Sequence, residues 1–126
     1  MERVFVLIAA LSGLAAVLAD AAARHLLAGD AARLDLAATG ARYGLVHAAA
    51  LLTLAALLRG KERPRLWLML AGWCFAAALV LFCGVLYLDA AGLAAGLVFL
   101  VPVGGTLFIA GWSALFVHAL MARRAT

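Results

Sequence analysis

Six side chains whose types could do chemistry interrupt an otherwise apolar sequence. They fall in two short runs, "LADAAARHLL" at 18–27 and "TGARYGLVH" at 39–47. The candidate residues in these runs are Asp20, Arg24, His25, Arg42, Tyr43 and His47. Carboxylate, guanidinium, imidazole and phenol groups can bind a polar head group or exchange a proton, and imidazole can also hold a metal ion. Which of these roles is open depends on the solvent around the chain.

The first run places a carboxylate and a guanidinium one helical turn apart. Asp20 and Arg24 are separated by four residues, so they share a helix face, and the acid-first order is the favourable one. Arg24 is also long enough to reach lipid head groups from the end of a membrane span. Two interpretations stay open: an interfacial ion pair that ends the span, or a polar site inside the bundle together with His25.

The second run places a phenol and an imidazole on one helix face. Tyr43 and His47 are one turn apart, and Arg42 lies near the outer end of the same predicted span. His47 is about two turns inside that span, and ionisable groups at such depth face the interior of a bundle. A buried hydrogen bond between Tyr43 and His47 that fixes helix packing is one interpretation, and a ligand-binding or proton-transfer role is the other.

The composition indicates which solvent surrounds these groups. The chain has 126 residues, 69% of them hydrophobic, and a mean hydropathy of +1.16. Soluble domains are about half apolar, and one small core cannot bury so much apolar surface. The net charge of +4 lies in short patches between apolar runs, which is typical of membrane topology rather than of a nucleic-acid-binding face. The sequence therefore predicts a multi-pass membrane protein with no nucleic-acid partner.

Four apolar runs are long enough to cross about 30 Å of hydrocarbon as helices. The predicted spans are residues 4–27, 41–58, 66–88 and 93–121. Lipid leaves backbone groups no water to bond, so an all-α bundle of four transmembrane helices is the expected fold. Between the first two spans, 28–40 is predicted to be an outer loop. Asp30 could cap a short interfacial helix within it, and this helix could run into the second span past Thr39 and Gly40.

The basic residues outside the spans predict the orientation. Seven of the eight lie at the start, in the linker or in the tail: Arg3, Arg59, Lys61, Arg63, Arg65, Arg123 and Arg124. The eighth, Arg33, lies in the predicted outer loop together with Asp30 and Asp35. Four crossings put the start, the linker "RGKERPR" and the tail on one side of the membrane. The positive-inside rule makes that side cytoplasmic. We therefore expect a protein of the bacterial inner membrane with both termini in the cytoplasm.

Small residues and a proline predict how the spans pack. Pro102, in "VPVGGTLFIAGW" at 101–112, would remove a donor in the middle of the fourth helix and kink it, aided by Gly104 and Gly105. Trp112, further along the same predicted helix, is expected to lie near the cytoplasmic interface. In "LFCGVLYLD" at 81–89, Gly84 permits close packing. Pairs of small residues four apart allow close helix approach: Gly40 with Gly44, Gly72 with Ala76, and Gly92 with Gly96.

The order and spacing of these motifs resemble a known family. His25, "TGARYGLVH", "LFCGVLYL" and "VPVGGTLFIAGW" look like the YgdD/YwdK-like family of small bacterial four-helix inner-membrane proteins, which is classed as a domain of unknown function. The resemblance covers nearly the whole chain, and the Pro-Val-Gly-Gly block is its most specific part. The family has a Gly-rich run before the first-span histidine where this chain has "ADAAARH", so Asp20 and Arg24 are local features. The resemblance implies a fold and a location but no activity.

Three functional hypotheses follow from these residues. The first is a non-catalytic accessory or packing subunit that binds a larger membrane complex or itself. The second is a binder or carrier of a lipid or quinone in a groove near the outer leaflet, with Arg24, His25, Arg42, Tyr43 and His47 around its polar head. The third, a haem or metal protein using His25 and His47, is disfavoured by their different depths. We see no nucleophile–base pair, carboxylate dyad or phosphate loop, and therefore predict no catalytic residues, metal or cofactor, with membrane lipids as partners.

Overall fold

The described residues fold as helices without strands. The computed structural model describes residues 1–59 and 66–122. The helices are α1 (Glu2–Leu26), α2 (Ala31–Leu58), α3 (Leu66–Ala78), α4 (Val85–Ala90) and α5 (Leu100–Ala122), with a π-helical segment, Leu79–Gly84, between α3 and α4. This π segment joins α3 and α4 into one continuous third rod, Leu66–Ala90. Lys61, Arg63, Arg65, Arg123 and Arg124, on which part of the predicted orientation rests, lie outside the described residues.

Four helical rods, namely α1, α2, the third rod and α5, are long and apolar enough to cross a membrane, as the sequence predicts. They contain 25, 28, 25 and 22 residues. Of the most apolar 18 residues in each rod, 44% are buried in α2 and 50% in the third rod, against 17% in α1 and 22% in α5. The two middle rods therefore form the centre of the bundle. Helix α1 packs mainly on α2, and α5 packs mainly on α3 and the π segment.

Helix α2 begins ten residues before the second predicted span. The Asp30 side chain accepts a hydrogen bond of 3.1 Å from the backbone N–H of Arg33, which caps the helix at Ala31. The segment 31–40 is therefore the continuous first part of α2. Of the two possibilities that the sequence leaves open, the capped helix runs into the second span and is not a separate helix within an outer loop. Only four residues, 27–30, connect the two helices.

The last helix begins at Leu100, seven residues after the start of the fourth predicted span. Gly92 and Gly96 both have a φ of +76°, a conformation that glycine adopts easily and that breaks a helix. These two glycines therefore form turns, and the prediction that they pair on a helix face is wrong.

The late start of α5 changes the meaning of Pro102. It is the third residue of the helix, in the first turn, where backbone N–H groups have no helical partner to lose. The carbonyl of Val98, which a kink would have freed, accepts a hydrogen bond of 3.1 Å from Val101. The physical reason for a kink in the middle of the helix is thus absent, and the structure does not show the predicted kink.

Aromatic rings lie in glycine notches where the rods meet. Phe5 of α1 packs on Gly72 of α3, and Phe75 of α3 packs on Gly111 of α5, each so closely that an added Cβ would overlap the ring. Both phenylalanines are fully buried. We call these contacts, and the two described next, ring-on-glycine contacts.

Two further ring-on-glycine contacts, at Gly40 and Gly44 of α2, and a backbone contact at Gly104 of α5 join these helices to the second half of the third rod. A Cβ on Gly40 would lie 2.7 Å from the Tyr87 ring, and a Cβ on Gly44 would lie 3.0 Å from the Tyr87 hydroxyl oxygen. A Cβ on Gly104 would lie 2.6 Å from the backbone nitrogen of Phe82 and 2.8 Å from its Cβ. Glycine at these positions therefore lets backbones approach, which lipid-embedded helices need in order to associate.

Two other glycines do not have the predicted structural role. A Cβ on Gly84 would meet nothing nearer than the carbonyl oxygen of Leu79 at 3.9 Å, so the predicted close packing is not at Gly84. A Cβ on Gly105 would lie 3.9 Å from the Phe82 ring, which is ordinary contact. The glycine that brings α5 close to the π segment is Gly104, and it does so because it has no side chain rather than through backbone freedom.

Replacing Gly104 by alanine should loosen α5 from the π segment. The added Cβ would collide with the backbone of Phe82, which cannot move aside as a side chain can. We expect the free energy of unfolding to fall by about 1–3 kcal/mol, the usual cost of overpacking. Reversible unfolding in mixed micelles, followed by circular dichroism, measures this change.

The matched control is Gly13→Ala, because a Cβ on Gly13 meets nothing within 4 Å. It should keep the free energy of unfolding or raise it by up to about 1 kcal/mol, because alanine is the better helix former. Equal losses in the two variants would contradict a specific close approach at Gly104.

Candidate functional site

The most deeply buried polar side chain among the described residues is His47, in the middle of α2. It is 4% exposed. Trp112 of α5 donates its indole N–H to His47 Nε2 at 3.1 Å, and His47 Nδ1 lies 2.8 Å from the backbone oxygen of Tyr43. An indole can only donate, so Nε2 accepts and Nδ1 carries the proton that it donates to the Tyr43 carbonyl. His47 is therefore a neutral imidazole with both ring nitrogens hydrogen-bonded.

Aromatic rings enclose this imidazole. The ring of Phe108 stacks on it at a centroid distance of 3.7 Å, and Phe75 meets it edge-on at 5.2 Å. The Tyr43 ring is parallel to it at 6.1 Å. The sequence predicts a hydrogen bond between Tyr43 and His47, and the structure replaces the phenol with the backbone carbonyl. Trp112, predicted only as an interfacial residue, is the side-chain partner that ties α5 to α2.

The first polar run does not join His47. Arg24 donates two hydrogen bonds to Asp20, with Nε–Oδ2 at 2.9 Å and Nη2–Oδ1 at 3.3 Å. Arg24 and His25 are both exposed at the end of α1. Of the two interpretations of this run, the structure therefore has the ion pair and not the site inside the bundle.

The structure also argues against one metal held by His25 and His47. His47 is sixteen residues after Ala31, which is about 24 Å along α2 at 1.5 Å per residue. His25 lies beside the start of that helix, at the end of α1. In addition, both nitrogens of His47 already have partners within the protein.

Arg33 of α2, which the sequence analysis places in an outer loop, bonds to the end of α4. Arg33 donates from Nε to the carbonyl oxygen of Ala90 at 2.6 Å. Ala90 is the last residue of α4, where a cation interacts favourably with the free carbonyl groups and the helix dipole. The sequence signal was an arginine three residues after the Asp30 cap, but its partner lies 57 residues away.

Two lateral grooves flank the central rods. The first, which we call the α1 groove, lies between α1 and the third rod and has a volume of about 570 Å³. Its walls include Leu11, Ser12, Ala77, Val80, Cys83 and Tyr87. The second, the α5 groove, lies between α2 and α5 and has a volume of about 710 Å³. Its walls include Tyr43, His47, Phe82, Phe108, Trp112 and Phe116.

Tyr87, which lines the α1 groove, has a polar atom without a hydrogen-bond partner. The hydroxyl oxygen of Tyr87 is buried and has no hydrogen-bond partner within the described part of the chain. Buried hydroxyl groups are nearly always paired. The neighbouring Gly44 leaves only just enough room for this oxygen. Tyr87 therefore holds an unused donor and acceptor at the wall of an apolar groove.

The π segment contributes to both grooves. Leu79, Cys83 and Gly84 line the α1 groove, whereas Phe82 lines the α5 groove. Such segments are rare and frequently occur at functional sites. No motif used in the sequence analysis indicates this segment.

The predicted ligand-binding residues do not assemble into one site. Tyr43 and His47 line the α5 groove, but Arg24, His25 and Arg42 are exposed and line neither groove. Among the described residues that line the two grooves, Tyr87 has the hydroxyl that is buried without a partner, and the sequence analysis does not single it out.

Replacing Trp112 by phenylalanine tests the assigned tautomer. The change leaves His47 Nε2 buried without a donor, and we expect the free energy of unfolding to fall by about 1–3 kcal/mol. In the parent protein, ¹⁵N NMR should show a neutral His47 with the proton on Nδ1. An imidazolium, or a proton on Nε2, would contradict the assignment.

Trp73→Phe is the matched control, since Trp73 and Trp112 are exposed to similar extents, 45% and 48%. Trp73 contacts the Phe5 ring and lies outside the His47 network. Its replacement should not shift the ¹⁵N resonances of His47.

Known proteins resemble this chain along its whole length. Residues 19–105 match the family described as "Protein of unknown function (DUF423)". The chain is 32% identical over 125 residues to the UPF0382 inner membrane protein YgdD of Escherichia coli K12, covering 98% of this chain and 94% of that protein. It is 34% identical over 118 residues to a UPF0382 membrane protein of Haemophilus influenzae, covering 91% and 92%. No solved structure matches it.

These relatives confirm the resemblance on which the sequence analysis relies. The identities extend over nearly the whole chain, and the relatives are membrane proteins by name. The four apolar rods agree with that description. The chain is therefore an integral membrane protein that belongs to the DUF423 family.

Proposed function

We propose that this protein is a non-catalytic inner-membrane protein that binds a lipid-like or quinone-like molecule in the α1 groove. The observation that carries this proposal is the buried Tyr87 hydroxyl, which has no partner among the described residues and belongs to a side chain that lines the largely apolar α1 groove. A molecule with an apolar body and one carbonyl or ester oxygen would fit both features.

The unpaired Tyr87 hydroxyl has a free-energy cost that a bound ligand would remove. A buried polar group without a partner costs about 1–3 kcal/mol. A ligand oxygen that accepts the Tyr87 proton would recover this cost, and an apolar body would cover the walls. The groove volume of about 570 Å³ lies within the usual range of about 300–1,000 Å³ for small-molecule sites.

The position of Tyr87 fits a ligand that enters from the lipid. Leu11, Ala77 and Val80 line the groove and are exposed, so it opens sideways from the bundle. Tyr87 is three residues before the end of the third rod, about 5 Å along the axis. In the orientation that we propose below, this end is the outer one, and the ligand oxygen would lie near the outer leaflet.

We propose the orientation with both termini in the cytoplasm. Arg3 lies at the start of α1 and Arg59 directly follows α2, so both mark the same end of these two helices. The basic linker continues from Arg59, and four crossings put the basic tail on the same side of the membrane. The connections 27–30 and 91–99 would then face the periplasm. They are poorer in basic residues, as the positive-inside rule requires.

Reporter fusions test this orientation. Alkaline phosphatase should be active when fused after Gly29 or Gly92 and inactive when fused after Lys61, because it folds only outside the cytoplasm. Green fluorescent protein should give the opposite pattern. Active alkaline phosphatase after Lys61 would contradict the orientation and, with it, the outer-leaflet position of the ligand.

Replacing Tyr87 by phenylalanine should change two properties in opposite directions. Without ligand, the free energy of unfolding should stay the same or rise by about 1 kcal/mol, since an unpaired hydroxyl is removed. The affinity for decylubiquinone or dioleoylglycerol should fall about tenfold, which is about 1.4 kcal/mol. Thermal unfolding gives the first quantity. Titration in detergent, with quenching of tryptophan fluorescence for the quinone, gives the second.

A pair of blocking variants identifies the groove. Val80→Phe narrows the α1 groove, and Ile109→Phe narrows the α5 groove in the same way. The two positions are equally exposed, Val80 at 68% and Ile109 at 67%. Only Val80→Phe should abolish binding of the probe. Binding lost through Ile109→Phe alone would place the ligand against His47 and contradict our assignment.

The second candidate function is the accessory or packing subunit. Large apolar side chains cover the outer face of α1, and Gly13 leaves open space beside them. A face of this kind fits lipid and a neighbouring helix equally well. Native mass spectrometry after gentle solubilisation separates the candidates: a stable larger assembly without ligand supports the subunit, and a monomer that carries a lipid or quinone supports the binder.

A further inference from the structure

We propose a second site, distinct from the α1 groove, that binds an anionic phospholipid at the opposite end of the bundle. A cavity of about 610 Å³ lies between the first turns of α1 and the last turns of α2. The residues on which the argument depends are Glu2, Arg3, Leu7, Leu52, Ala56 and Arg59. We call this cavity the Arg3–Arg59 groove.

The charges at its mouth fit a phosphate. Arg3 and Arg59 come from different helices, are both exposed, and form no ion pair within residues 1–59 and 66–122. Glu2 is the acidic residue of the lining and sits in the first turn of α1, where a carboxylate interacts favourably with the helix dipole. The two guanidinium groups exceed this one carboxylate, and guanidinium groups bind phosphate oxygens in a fork.

The remaining walls fit an acyl chain. Leu7 is one helical turn beyond Arg3, about 6 Å along α1, and Leu52 is two turns before Arg59, about 10 Å along α2. Both leucines and Ala56 are exposed. The groove therefore runs from two cations into an apolar trough along the helices. An amphiphile uses both parts of such a groove, whereas a free phosphate ion would use only the arginines.

The sequence that follows Arg59 is also basic. Lys61, Arg63 and Arg65 follow within six residues, with Glu62 as the one acid among them. Clusters of basic residues next to a membrane span attract anionic lipids. Charge complementarity thus favours an anionic phospholipid over a zwitterionic one with the same acyl chains.

Competition between two lipids tests the site. The full chain in detergent receives equal amounts of phosphatidylglycerol and phosphatidylcholine with identical acyl chains, and native mass spectrometry measures the ratio of the two adducts. We expect the parent protein to prefer phosphatidylglycerol. The double variant Arg3→Gln/Arg59→Gln should reduce this preference about tenfold. The control Arg24→Gln/Arg42→Gln removes two positive charges elsewhere and should retain it.

Two further measurements identify the ligand and the groove. Ala56→Trp blocks the apolar trough at an exposed position and should weaken lipid binding while both arginines remain. Millimolar inorganic phosphate should not displace the lipid. Unchanged selectivity in Arg3→Gln/Arg59→Gln, or displacement by inorganic phosphate, would overturn the proposal. Decylubiquinone titration of the double variant should match the parent, so failure here is distinguishable from failure of the α1-groove proposal.

Discussion

The close approach of the four rods depends on aromatic rings seated in glycine notches. Helices in lipid gain little from hiding apolar surface, since the tails around them are equally apolar, and close contact must hold them together. Phe5 on Gly72 and Phe75 on Gly111 supply this contact on the two sides of α3. The α1 groove begins just beyond the first of these contacts, with Ile8 and Trp73 among its walls. The grooves are therefore the spaces that remain where the rods are not drawn together.

The third rod packs against α5 and against α2, and the π segment lies between the residues that make these two sets of contacts. Before this segment, Phe75 packs against α5, and after it Tyr87 packs against α2. Within it, Phe82 contacts Gly104 while Cys83 lines the opposite groove. A π-helical turn holds more residues than an α-helical one, so it changes which faces the residues on either side of it present. The same backbone feature thus fixes α5 and positions the Tyr87 hydroxyl.

The sequence predicts the number and type of the rods but not all of their limits. Apolar runs are long enough to be counted, and the close approach at Gly40 and Gly44 follows from their spacing. Gly92 and Gly96 have the same spacing but form turns, because a four-residue interval does not distinguish a helix face from two positive φ angles. The contact between His47 and Trp112 joins residues 65 positions apart. Such a contact depends on how α2 and α5 pack, which no local pattern specifies.

Two of the groups that look reactive in the sequence already have partners in the fold. Asp20 and Arg24 form an exposed ion pair, and His47 has a partner at each ring nitrogen. An imidazole with both nitrogens bonded contributes shape to a site but no new hydrogen bond. The Tyr87 hydroxyl differs because it is buried and the chain supplies it no partner among the described residues. The proposed ligand binding therefore depends on a group that the fold leaves unpaired, which residue type and spacing cannot reveal.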